Sequence, residues 1–157
     1  MASDPRRLWI AVLTVASANA LPAMTVVTLG IVLPEVRASL RLSEVEAGAL
    51  FSVLFIAASS ASFAGGRLAD RAGRFAVLLT GLGLLSVPGL IAFSDVYTVA
   101  LVLFGLAGIG YGFVSIALFA LLSDLLPARR GLGAGLLSVT YGTGALVGPL
   151  LASAVTA

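Results

Sequence analysis

The chain has 157 residues, of which 60% are hydrophobic and only 10% are charged, and its mean hydropathy is +1.15. Soluble domains carry about a quarter charged residues, so this composition excludes a water-soluble fold. The net charge is only +2, and all the basic residues are arginines that lie between apolar runs. This distribution fits a role in orienting the chain in a membrane better than a role in binding nucleic acid. The chain has no cysteine and no histidine, which excludes disulfides and cysteine metal sites and removes the usual proton shuttle at neutral pH.

The first apolar run, residues 8–33, is long enough at 1.5 Å per residue to span a bilayer of about 30 Å. Its first half also resembles a secretory signal peptide, with small residues at 18–20 in the place of a cleavage site. Because the run continues well past that site, the pattern favours a retained helix. We expect Pro22 to kink this helix near its middle, with Asn19 and Thr25 placing polar groups close to the bend.

Four further apolar runs predict four more spans, and therefore an all-α, polytopic membrane bundle. The five predicted spans cover residues 8–33, 45–64, 75–93, 96–122 and 132–155. Ser43 followed by Glu46 has the spacing of a capping box and predicts the start of the second helix.

The arginines are distributed unevenly between the two ends of these spans. One end holds Arg6, Arg7, Arg67, Arg71, Arg74, Arg129 and Arg130. The opposite end holds only Arg37 and Arg41, which acidic residues outnumber there. The positive-inside rule therefore predicts a multi-pass protein of the cell (plasma) membrane with a cytoplasmic N-terminus.

The most charged stretch, residues 66–74, reads Gly-Arg-Leu-Ala-Asp-Arg-Ala-Gly-Arg and is predicted to join the second and third spans by a tight turn. Gly66 and Gly73 suit such a turn because glycine tolerates positive φ. The spacing resembles the signature loop between the second and third helices of the major facilitator superfamily. The matching residues are Gly66, Leu68, Ala69, Asp70, Arg71, Gly73, Arg74 and Leu78. The sequence departs from the family pattern at Phe75, where a second basic residue is usual.

This resemblance covers the whole chain, but only as the first five of the twelve helices that are usual in the superfamily. It implies a single, incomplete N-terminal bundle over residues 1–157 that lacks the sixth helix of its own half. Substrates of such carriers bind between the two halves near the midplane. We therefore expect a truncated part of a transporter, and an autonomous small protein that works as an oligomer is the alternative.

The connection between the fourth and fifth spans also resembles the family, which often carries Pro-x-x-Arg-Gly there. The matching residues are Pro127, Arg130 and Gly131. In the family, an acidic residue at the end of the fourth helix forms a charge relay with the signature loop. Asp124 is the residue at the corresponding position here. The resemblance thus implies a conformational latch of Asp70, Arg74 and Asp124 that stabilises the outward-open state, the alternative being three solvated charges.

In the fifth span, Gly144, Gly148 and Pro149 resemble the Gly-x-x-x-Gly-Pro motif of antiporters in this superfamily, which implies a drug-efflux-like branch. The match is partial, so packing of small residues beside a proline bend is the alternative. Phe104 stands where proton-coupled exporters usually carry an arginine. Apart from Glu46 in the first turn of the second span, no charged residue lies inside the predicted spans, so this segment offers no proton carrier of its own within the membrane.

The leading prediction is a secondary transporter that exports small, largely apolar molecules. Its expected partners are the lipid bilayer, a small-molecule substrate, and either the missing helices or an oligomeric partner. Polar residues inside the spans are candidate substrate contacts, with a packing role as the alternative: Asn19, Thr25, Tyr111 and Tyr141. A non-transporting assembly partner or sensor is the second interpretation. An enzyme is the weakest, because no spaced nucleophile, base and orienting group occurs, and neither a cofactor nor a metal is expected.

Overall fold

The structure is a computed structural model that describes residues 5–93 and 96–156, and all regular structure in that part is helical. The helices are α1 (Pro5–Ala18), α2 (Ala20–Ser39), α3 (Glu44–Ala72), α4 (Arg74–Ser86) with a 3₁₀ continuation (Val87–Phe93), α5 (Tyr97–Leu125) and α6 (Arg130–Thr156). They supply five segments long and apolar enough to cross a bilayer: Arg6–Ser39, Glu44–Ala72, Arg74–Ile91, Tyr97–Leu125 and Arg130–Leu151. The predicted all-α bundle with five spans is confirmed.

The helices extend beyond the predicted spans, and the predicted turn over residues 66–74 is wrong for most of that stretch. α2 continues through Pro34 to Ser39, and α3 continues through most of the stretch 66–74 and ends at Ala72. Gly66 therefore lies within a helix and not in a turn. The reason is that hydropathy marks where the bilayer ends, whereas backbone hydrogen bonding continues until a capping or positive-φ residue stops it.

Two short connections follow local sequence signals closely. The capping box is confirmed, since the Ser43 hydroxyl accepts from the Glu46 N–H and the Glu46 carboxylate accepts from the Ser43 N–H at 2.8 Å. Gly73 alone joins α3 to α4, with φ 91° and ψ 143°. Residues that carry a side chain rarely adopt this backbone conformation, so the turn requires glycine at this one position.

The first span is interrupted at Asn19, between α1 and α2. Pro22 has no N–H, so the carbonyl of Ala18 loses its usual helical donor one turn earlier. The Asn19 N–H instead donates to the Ala16 carbonyl at 3.0 Å, a tighter turn than an α-helix. The predicted break near the middle of this span is thus present, and it falls one turn before the proline because that is where the hydrogen bond is lost.

Helix α5 is the centre of the packing and lies against both α3 and α4. Its glycines allow backbones to approach closely: a Cβ added at Gly108 would overlap the Leu54 carbonyl oxygen of α3. On the next face, a Cβ at Gly110 would lie 2.6 Å from the Gly81 carbonyl oxygen of α4. Phe104 is 1% exposed and belongs to this core. Small residues thus fix the positions of α3, α4 and α5 relative to one another.

Candidate functional site

A polar groove of about 400 Å³ lies where the break in the first span faces α5 and α6. Its lining residues are Asn19, Tyr111, Ser115, Phe119, Leu137, Ser138 and Tyr141. Three of the four predicted substrate contacts, Asn19, Tyr111 and Tyr141, therefore come together. Tyr111 is the central residue of α5, so the groove lies at mid-depth of the bundle.

Asn19 is 8% exposed, and its side-chain amide nitrogen donates to the Leu137 carbonyl oxygen at 2.8 Å. This bond fastens the break between α1 and α2 to the wall formed by α6. Within the described residues, no donor bonds to the Asn19 amide oxygen. Every side-chain polar atom that is fully buried there has a partner, so this oxygen is not fully buried. That oxygen is therefore open to the groove as a hydrogen-bond acceptor.

Tyr111 connects the two facing helices. Its phenol lies close to the side chains of Tyr141 on α6 and Ser115 on α5, and all three residues line the groove. The groove thus combines hydroxyl groups, one amide oxygen and the ring of Phe119, and its lining residues include no charged side chain. Such a surface can bind a small molecule that offers apolar area and a few uncharged hydrogen-bonding groups.

Thr25, the fourth candidate, is not part of this groove. It lines a separate and mainly apolar cavity of about 540 Å³ that also includes Leu29 and Phe104. Its hydroxyl donates to the Leu21 carbonyl at 3.0 Å, within its own helix. Thr25 therefore lies apart from the other three candidates, and its role as a substrate contact or a packing residue stays a prediction.

Sequence reasoning missed Ser115, Phe119 and Ser138 as lining residues. Two of them were within reach of a helical pattern: Ser115 follows Tyr111 by one turn, and Ser138 precedes Tyr141 by one turn. Phe119 continues the Tyr111–Ser115 stripe by one more turn. A face-by-face reading of α5 and α6 finds all three.

At the arginine-rich end, Arg74 and Asp124 form an ion pair, and the Arg74 guanidinium also donates to the Ala120 carbonyl at 2.9 Å. Arg74 is the first residue of α4, and Asp124 lies in the last turn of α5. Each charge is at the helix end where its own macrodipole disfavours it, so pairing neutralises both. The pair connects α4 to α5, and its role as a latch stays a prediction.

Other predicted residues of the latch are not joined to this pair. Asp70, Arg71 and Arg130 are exposed, and none of them forms an ion pair with another described residue. Leu68 is 42% exposed, and Gly66 has open space beside it. The structure therefore brings together two of the three residues of the relay.

The glycine-proline motif of α6 packs against α2 directly after the break. A Cβ added at Gly144 would overlap the backbone of Ala20, and one at Gly148 would lie 3.1 Å from the Met24 Cα. Pro149 lies inside α6. The motif thus sets the distance between α6, which carries Tyr141, and the start of α2 directly after Asn19.

These features define a polytopic α-helical membrane protein with an uncharged polar groove at mid-depth. Residues 9–157 match the Major Facilitator Superfamily, and the chain belongs to that family. Members of this family are transporters and not enzymes, in agreement with the sequence prediction.

Three curated relatives are multidrug resistance proteins. The chain is 38% identical over 106 residues to MdtG of Proteus mirabilis, covering 66% of this chain and 26% of that relative. It is 35% identical over 100 residues to MdtL of Klebsiella pneumoniae, and 36% identical over 100 residues to MdtL of Escherichia coli O45:K1. Each of these two alignments covers 62% of this chain and 25% of the relative. The chain spans about a quarter of the length of the curated relatives it matches.

Proposed function

We propose that this chain forms the N-terminal part of a secondary transporter that exports small, largely apolar molecules by alternating access. Its family and the names of its relatives support transport of small molecules. The observation that carries the proposal is the uncharged groove at mid-depth, because alternating access requires a substrate site that each side of the membrane reaches in turn.

In this proposal, Asn19, Tyr111 and Tyr141 contact the substrate. A charged substrate would require a counter-charge in this low-dielectric position, whereas the groove offers hydroxyls, an amide oxygen and an aromatic ring. The remaining helices of the carrier supply the facing wall. The motif of Gly144, Gly148 and Pro149 keeps α6 close to α2, so movement of one helix is transmitted to the other.

The pair of Arg74 and Asp124 acts as the latch on the arginine-rich end, which faces the cytoplasm of a plasma-membrane protein. It holds the ends of α4 and α5 together in one state and separates in the other. Asp70, Arg71 and Arg130 remain available to helices beyond this chain. Exposed pairs contribute little energy, so a latch of this kind opens at low cost during each cycle.

The test uses cells that lack their own efflux pumps and express the gene product containing this chain. Accumulation of an uncharged lipophilic dye is measured together with the amount of protein in the membrane. Substitution of Tyr141→Phe keeps the ring and removes one hydroxyl from the groove, and should reduce efflux about fivefold, the effect of one hydrogen bond of about 1 kcal/mol. Tyr97→Phe is the matched control, because the Tyr97 hydroxyl lies outside the groove and donates to the Glu46 carbonyl at 3.4 Å.

Two outcomes contradict the proposal in different ways. Unchanged dye accumulation in cells whose membranes contain the wild-type protein would favour a non-transporting assembly partner or sensor. Equal efflux by the Tyr141→Phe and Tyr97→Phe proteins would leave transport in place but remove the groove from the substrate path.

A further inference from the structure

A further cavity lies at the opposite end of the bundle from the Arg74–Asp124 pair, and the proposed transport path does not use it. It has a volume of about 790 Å³ and lies between the end of α2 and the start of α3. Its walls are mainly apolar and include Leu33, Leu42 and Ala47. Arg37 and Arg41 supply positive charge at its edge. We call it the α2–α3 cavity.

Arg37 already has partners within the turn. Its Nε donates to the Leu42 carbonyl at 3.2 Å, and its guanidinium lies 3.4 Å from the Glu44 carboxylate. The ion pair joins the last turn of α2 to the first turn of α3, and the hydrogen bond joins α2 to the connection between the two helices. Arg37 therefore contributes to the shape of the cavity, and its charge is balanced by Glu44.

Arg41 is different, because its backbone conformation does not favour an arginine. The Leu42 N–H donates to the Arg37 carbonyl at 2.9 Å and the Arg41 N–H donates to the Ala38 carbonyl at 3.3 Å, which together form a Schellman motif. The motif places Arg41 at φ 53°, the single positive-φ residue other than glycine among those the structure describes. Glycine or asparagine adopts this conformation at lower cost. The turn itself thus gives no reason for arginine here.

The Arg41 guanidinium forms neither an ion pair nor a hydrogen bond with any residue in 5–93 or 96–156. The described acidic side chains near the α2–α3 cavity either bond to another residue or line a different cavity. Glu44 pairs with Arg37, Glu46 bonds to Ser43, and Glu35 lines a separate cavity. Asp95 lies outside the described residues. The α2–α3 cavity therefore carries one uncompensated positive charge.

The cavity is suited to an anion that also brings apolar surface. The helix ends beside it offer no open cradle for a free anion, because the carbonyls of α2 are closed by the Schellman motif and the first N–H groups of α3 by the capping box. The charge is at the end of an apolar span, which is the depth of lipid phosphates in a bilayer. Leu33 and Ala47 continue the cavity wall toward the apolar part of the span.

We propose that the α2–α3 cavity binds the phosphodiester of a membrane phospholipid, with the Arg41 guanidinium at the phosphate and the acyl chain along Leu33 and Ala47. The guanidinium provides several donors in a planar fork that matches phosphate oxygens. Binding of this lipid holds the end of α2 to the start of α3. The proposal is independent of the transported substrate.

The test measures lipid bound to the purified chain in detergent by native mass spectrometry during titration with dioleoylphosphatidylglycerol. The wild type should retain one lipid, and Arg41→Asn should weaken binding about fivefold, the effect of one arginine at a membrane surface. Asparagine tolerates the left-handed conformation, so this variant keeps the turn. Arg129→Asn, at an exposed arginine of the opposite end, is the control and should bind as the wild type does.

Thermal unfolding without lipid separates a structural role from a binding role. Arg41→Gly relieves the backbone and should unfold at a higher temperature than the wild type, while it binds the lipid about as weakly as Arg41→Asn does. Equal retention of lipid by Arg41→Asn and the wild type would overturn the proposal. Glycerol phosphate and inorganic phosphate are added as competitors of the bound lipid. If either displaces the lipid as effectively as a second lipid does, the site binds a free phosphate group instead.

Discussion

Substitution of Gly108→Ala tests the close contact between α5 and α3. The added methyl group would overlap the Leu54 carbonyl oxygen and lie 2.9 Å from its carbonyl carbon, so backbone atoms of two helices have to move apart. Overpacking of this kind costs roughly 3 kcal/mol, and alanine gains about 1 kcal/mol over glycine in a helix. The expected net loss is therefore about 2 kcal/mol of unfolding free energy.

Gly105→Ala, one turn earlier on α5, is the matched control. Its added Cβ would lie 3.4 Å from a Val53 methyl group, which is ordinary contact. This variant should be as stable as the wild type or up to about 1 kcal/mol more stable. Titration of the purified chain with sodium dodecyl sulphate, followed by circular dichroism, measures both variants. Unfolding of the two at the same detergent fraction would refute the close approach of α3 and α5.

Two further predictions use the same unfolding assay. Gly73→Ala should lower the free energy of unfolding by about 2 kcal/mol, since φ 91° with ψ 143° is a conformation of glycine. Gly66→Ala should leave it unchanged or raise it slightly, because Gly66 lies in a helix with open space beside it. Comparable losses in the two variants would contradict the single-residue turn. A double-mutant cycle of Arg74→Gln and Asp124→Asn should show a coupling energy of at most about 1 kcal/mol, because the pair is partly exposed. The same cycle with Asp70→Asn in place of Asp124→Asn should be additive, and coupling there would mean that Asp70 belongs to the latch within this chain.

Much of the candidate site was visible in the sequence. Polar residues are rare in the apolar spans, so Asn19, Tyr111 and Tyr141 were identified from their chemistry alone, and the structure brings them together. Thr25 has the same kind of polarity, yet it faces another cavity and bonds to its own helix. Hydropathy identifies a polar side chain within a span, but the rotation of each helix about its axis decides which cavity it faces.

The arginine-rich end shows the same division. The family resemblance implied that Arg74 and Asp124 meet, although fifty residues separate them in the sequence, and the structure pairs them. The motif also predicted a loop, whereas the structure continues α3 to Ala72 and leaves Gly73 as the connection. A charged stretch signals contact with water, and a helix that emerges from the bilayer satisfies that signal as well as a loop does.

Local properties of the sequence specify the class, the number of spans, the start of α3 and the glycine turn at Gly73. These properties are apolar length, the capping box at Ser43 and a positive φ that suits glycine. Tertiary packing sets which helices touch and which polar groups share a groove. Those contacts depend on glycine faces that meet across the bundle, as Gly108 meets Leu54. Packing of small residues is a property of two surfaces together, and one sequence segment contains only one of them.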